Sequence, residues 1–208
     1  MIAHWLAQKD LHHNLWRLAL PIMVSNISLP LLGLVDTAIL GHLSDIRFLA
    51  AVAMGASLFV FVLWSFAFLR MGTTALIAQN SGKLIDKNTL GKIHDHRNQV
   101  EVAILHCALL LAGALGLVLL MISPFLISIM LTLTSAVDDI APLAQEYLQI
   151  RFYFAPVTLI NYALLGYFIG LGKTKITLIL LVSTNLLNGI LDYVFVYHFN
   201  LNSSGVAY

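Results

Sequence analysis

Residues 100–130 read VEVAILHCALLLAGALGLVLLMISPFLISIM. A helix needs about 20 apolar residues to cross the hydrocarbon of a bilayer, and this run exceeds that. It does not alternate in polarity, as the roughly ten-residue strands of a membrane barrel do. It therefore reads as a transmembrane helix. Four further stretches have the same character: 15–40, 48–78, 142–171 and 176–199. The expected fold class is all-α: a polytopic transmembrane helix bundle of five spans within one membrane domain, residues 1–208. Gly205-Val206-Ala207-Tyr208 is expected to open a sixth span, so the chain reads as truncated there.

Composition supports this. Hydrophobic residues make up 60% of the chain and charged residues 10%. Soluble domains carry about 25% charged residues. The surplus apolar surface must face lipid, where it is not penalised. A formal net charge of +1 offers nothing for nucleic acid. The single cysteine, Cys107, lies in an apolar run and is expected to be a buried, inert thiol. Residues 1–10 lack a signal-peptide pattern, so the first span is expected to persist. No His-Glu-x-x-His and no phosphate-binding glycine loop occur, so neither a membrane protease nor an ATP-driven enzyme is supported. His94-Asp95-His96 resembles a metal-ligand run but reads as part of a solvated polar connection.

Charge placement sets the orientation. Lys9, Arg17, Lys83, Lys87, Lys92, Arg97, Lys173 and Lys175 fall on one side if every span crosses. Arg47, Asp45, Asp138, Asp139 and Glu146 fall on the other. The first side, with the N-terminus, is expected to be cytoplasmic.

Carboxylates inside apolar helices are costly and usually face a partner or a cavity. Asp36 lies in the first span and Asp192 in the fifth. Asn185, Asn188 and Asp192 are spaced i, i+3, i+7 and share one helix face. Asp36 lies about 7–8 Å, and Asp192 about 10–11 Å, from the outer ends of their spans at 1.5 Å per residue. The two acids therefore reach similar depth and could share one site. Paired carboxyls in low dielectric cannot both stay ionised cheaply. Such a site takes up a proton, or holds Na⁺ between carboxylate and amide oxygens. The plainer alternative is a helix-packing hydrogen bond. Pro21 and Pro30 interrupt the hydrogen bonding of the first span. Arg70 reads as a side chain reaching back to the interface. Arg151 reads as a structural ion pair near Glu146 and Tyr147, or as another such snorkelling residue.

These segments also carry a resemblance. Leu18-Ala19-Leu20-Pro21 and Gly33-Leu34-Val35-Asp36-Thr37-Ala38-Ile39-Leu40-Gly41-His42-Leu43 look like the first helix of the multidrug and toxic compound extrusion (MATE) family. The branch most similar is the bacterial one named for DNA-damage-inducible protein F. Phe68 to Ala75, Leu164 to Gly170, Asn188 to Asp192 and Gly205 to Ala207 resemble its second, fourth, fifth and sixth helices. The resemblance implies a secondary exporter with twelve helices in two lobes, moving drug-like amphipathic or cationic substrates outward across the bacterial inner membrane. Influx of H⁺ or Na⁺ would drive it, with no other cofactor. By similarity the coupling residues fall on Asp36, Asn188 and Asp192, with Asn185 and Tyr147 as further candidates and Pro21 as the bending residue. The chain would be most of the N-terminal lobe, with the C-terminal lobe missing. The alternatives are an exporter or flippase of lipid-linked precursors with the same fold, and a non-transporting remnant or half-transporter subunit.

Overall fold

The computed structural model describes residues 2–42, 45–82, 90–134, 139–199 and 205–207. Its helices, in chain order, are α1 (Ile2–Gly41), α2 (Ile46–Trp64), α3 (Ala67–Ser81), α4 (Leu90–Leu133), α5 (Ala141–Tyr153), α6 (Ala155–Gly170) and α7 (Thr174–Tyr193). A π-helical turn, Val194–His198, extends α7. There is no strand among the described residues.

Two predicted spans are broken. The stretch 48–78 becomes α2 and α3, separated at Ser65 and Phe66. There the amides bond three residues back, Ser65 to Val62 and Phe66 to Leu63, tightening the chain out of α geometry. The stretch 142–171 becomes α5 and α6, bent by 51° at Phe154. Pro156 follows directly; it has no amide hydrogen to donate, and its ring crowds the preceding turn.

Length and apolar character identify several of the expected spans directly. Among the described residues, three helical stretches are long and apolar enough to cross a bilayer: Ile46–Trp64, Asn98–Leu133 and Thr174–His198. The bent pair α5–α6 makes a fourth if taken as one broken span. In α1, the first expected span, the apolar part among the described residues is Leu15–Val24. The connection expected to stay polar up to Gln99 is shorter than supposed, because α4 already begins at Leu90. The side chains of His94, Asp95 and His96 lie outside the described residues, as does Asp138. Helix α1 runs unbroken through Pro21 and Pro30.

Packing follows from small residues. Gly166 and Gly170, spaced i, i+4, let α6 lie against α3. A Cβ at Gly166 would stand 2.6 Å from the Arg70 carbonyl oxygen, and one at Gly170 would stand 2.7 Å from Ile77 Cβ. This is the small-xxx-small device by which membrane helices approach backbone to backbone. The Thr74 hydroxyl spans the same interface, 3.1 Å from the Gly166 carbonyl. Helix α4 also packs along α6, α2 along α5, and α1 along α7. Phe59 of α2 meets Phe152 of α5 edge to face at 5.2 Å, beside buried Leu63, Leu148 and Leu159.

Helix α6 ends in a Schellman turn. Gly172 takes φ +70°, and the amides of Lys173 and Gly172 return to the carbonyls of Phe168 and Ile169. At the other end of the bundle Asp45 caps α2. Its carboxylate accepts from the Arg47 amide at 2.9 Å and pairs with the Arg47 guanidinium at 2.7 Å. The Arg47 side chain, then its amide, hold this exposed carboxyl below the usual aspartate range.

The outer surface is apolar. Leu110, Met121, Phe125 and Leu133 of α4 are all exposed, as a lipid-facing helix requires. Cys107 belongs to this exposed face rather than to the core expected from its apolar neighbours. An apolar run cannot tell lipid from core, because both select the same side chains.

Candidate functional site

The packing of α1 on α7 brings the two intramembrane acids together. Gly189 faces α1, where a Cβ would be in ordinary van der Waals contact with Val35 Cγ1 at 3.5 Å. One residue beyond Val35 is Asp36, and three beyond Gly189 is Asp192. Asp192 is buried. The two carboxyl groups are near neighbours across the α1–α7 interface. Asp36 Oδ1 is buried and has no hydrogen-bond partner among the described residues. An orphaned carboxylate oxygen is expensive in low dielectric, and it is an open position for a proton or a small cation.

Helix α5 supplies the rest of the cluster. Tyr147 and Arg151 are spaced i, i+4 and share one face. Arg151 Nε donates to Tyr147 Oη at 2.9 Å. The guanidinium carbon lies 5.4 Å from the Tyr147 ring centroid and 5.9 Å from that of Phe59, both within cation–π range. Its charge acts on both Asp36 and Asp192. Tyr147 is fully buried because Gly55 leaves room for its ring; a Cβ at Gly55 would stand 2.6 Å from Tyr147 Cδ1.

The sequence-derived candidates therefore separate. Asp36, Asp192 and Tyr147 converge. Asn188, half-buried one turn before Asp192, makes no hydrogen bond among the described residues. Asn185 instead lines a cavity of about 470 Å³ between α1 and α7, with Val35, Gly189 and Tyr193. Pro21 is buried, far along α1 from the acids.

Two arginines can be set against their sequence reading. Arg151 does not snorkel outward; it turns inward to Tyr147. Arg70 is half-buried and lines a cavity with Thr74 and Thr177. A third residue was passed over: Glu101, buried near the start of the α4 span, accepts a hydrogen bond from Ser81 Oγ at 2.8 Å. A carboxylate just inside an apolar run was the available signal for Glu101. For Arg151 the only signal was its spacing from Tyr147.

A family profile described as MatE matches residues 21–194. The chain belongs to the MatE family. Among MatE relatives, it is 38% identical over 193 residues to DNA damage-inducible protein F of Escherichia coli (strain K12), covering 93% of this chain and 39% of that one. A probable multidrug resistance protein NorM of Acinetobacter baylyi is 30% identical over 190 residues, covering 91% and 38%. An outward-facing multidrug resistance MATE family transporter of known structure superposes with a TM-score of 0.78 at 24% identity, covering 94% of this chain and 40% of that one. The MatE fold is thus shared, and the family is one of membrane transporters rather than enzymes. The chain spans about 40% of the length of the MatE proteins it matches.

Proposed function

We propose that this chain is the N-terminal part of a cation-coupled exporter of drug-like amphipathic compounds, with Asp36 and Asp192 as the coupling pair. The observation that carries the reading is the juxtaposition of two intramembrane carboxyls with a single guanidinium. Two carboxylates and one arginine sum to one negative charge. One H⁺ or one Na⁺ neutralises the cluster, so the site takes one cation per cycle. The orphaned Asp36 Oδ1 is the atom that receives it.

The cavity between α1 and α7 supports a link between cation and cargo. Two of its walls, Val35 and Tyr193, are the chain neighbours of Asp36 and Asp192. Neutralising the pair removes the repulsion between α1 and α7 and lets these walls move together. The clustering of basic residues near the N-terminus, against Arg47 already paired with Asp45, supports a cytoplasmic N-terminus in a bacterial inner membrane. The C-terminal lobe needed for alternating access would come from sequence beyond this chain.

The test has two parts. Addition of Na⁺ to the purified chain in unbuffered detergent at neutral pH is expected to release protons, and Asp36→Asn is expected to abolish that release. In a full-length version, Asp36→Asn is expected to stop pH- or Na⁺-dependent efflux of a fluorescent organic cation. Unchanged efflux in that variant overturns the assignment.

A further inference from the structure

Helices α1 and α7 also face each other at the end of the bundle opposite the acid pair. Inside that end is a cavity of about 310 Å³ lined by Arg70, Thr74 and Thr177, with Ile22, Leu165 and Leu181 as apolar wall. Arg70 has no hydrogen bond or ion pair from its guanidinium among the described residues. The hydroxyl of Thr177 is buried, in a residue 2% exposed, and has no hydrogen-bond partner among the described residues. Thr74 has already spent its hydroxyl on the Arg70 and Gly166 carbonyls. The cavity thus holds a cation and a hydrogen-bond donor with nothing to neutralise them.

A second cavity of about 330 Å³ lies at the mouth, lined by Arg17, Lys173 and Lys175. All three side chains are exposed, and among the described residues no carboxylate lines either cavity. Ile22 follows Leu18, and Thr177 follows Lys173, by one helical turn each. The two cavities are therefore consecutive along one groove, about 6 Å apart at 1.5 Å per residue.

We propose that this groove binds an anionic phospholipid from the leaflet at this end. The headgroup phosphate meets the basic rim of Arg17, Lys173 and Lys175. The glycerol-ester oxygens reach Arg70 and Thr177, and the apolar wall takes the start of an acyl chain. Basic pockets between helices at a membrane face are suited to such headgroups. A free phosphate would satisfy the rim but leave the apolar wall and the deeper donors unfilled, so the lipid is the better match.

The test is native mass spectrometry of the purified 208-residue chain dosed equally with phosphatidylglycerol and phosphatidylcholine. Phosphatidylglycerol is expected to be retained in several-fold excess. The preference is expected to fall towards parity in Arg70→Gln/Thr177→Val and in Lys173→Gln/Lys175→Gln. It is expected to persist in Arg70→Lys, which keeps the charge and controls for misfolding. Equal retention of both lipids by the unmodified chain overturns the proposal, as does an unchanged preference in both multiple variants. Displacement of phosphatidylglycerol by inorganic phosphate overturns the lipid assignment in favour of a free anion. None of these substitutions touches Asp36 or Asp192, so failure here leaves the coupling reading intact.

Discussion

At the scale of single residues, charge balance decides what the acid cluster can do. Arg151 cancels one of two carboxylates, so its removal should change how many cations the pair holds. Arg151→Gln is expected to raise uptake from one proton or Na⁺ to two per chain, measured by back-titration of the purified protein. Unchanged stoichiometry would show that the guanidinium does not take part. Asp36 and Asp192 were legible in the sequence because a carboxylate in an apolar run is conspicuous and their depths could be compared by counting residues. Arg151 was not, because its inward direction depends on how α5 is turned against α2, and Gly55 makes that approach possible. Asp45 is a different case, outside the membrane. Its carboxyl is held below the usual range by Arg47, so its capping contribution is fully present above the unfolded aspartate value of about 3.9. The contribution is lost as pH falls through the lower folded value. Asp45→Asn keeps a capping oxygen but no charge. Its thermal stability deficit in detergent is therefore expected at neutral pH and should vanish in strong acid.

At the scale of helices, the Gly166–Gly170 pair fixes where α3 and α6 meet. Gly170→Leu places a side chain where Ile77 and the Thr74 carbonyl already stand. Overpacking of this kind costs about 1–3 kcal/mol, read as a lowered midpoint of thermal unfolding in detergent. An equivalent substitution at Gly113, where a Cβ meets nothing within 4 Å, should be close to neutral. The helices themselves were plain in the sequence, because their apolar runs are long. The interruption at Phe154 had a visible cause in Pro156. The one at Ser65 and Phe66 had none, since neither residue ends a helix by itself.

At the scale of the whole molecule, lipid and core were indistinguishable from composition, and only packing separated them. Cys107 is the clearest instance. Its exposure on α4 predicts that a membrane-partitioning maleimide labels it in vesicles while a charged, water-soluble maleimide does not. Labelling by both would place this face in water. The general architecture and the two acids could thus be anticipated, whereas the basic groove at the far end depends on which faces α1, α3, α6 and α7 turn to one another.

The bend at Phe154 divides one membrane-spanning length into two levers with different attachments. The α6 lever is clamped to α3 through Gly166 and Gly170. The α5 lever carries Tyr147 and Arg151 and leans on α2. On the proposed coupling reading, a charge change at the acid pair reaches the α5 lever through Arg151, whereas the α3–α6 clamp at Gly166 and Gly170 lies outside the cluster.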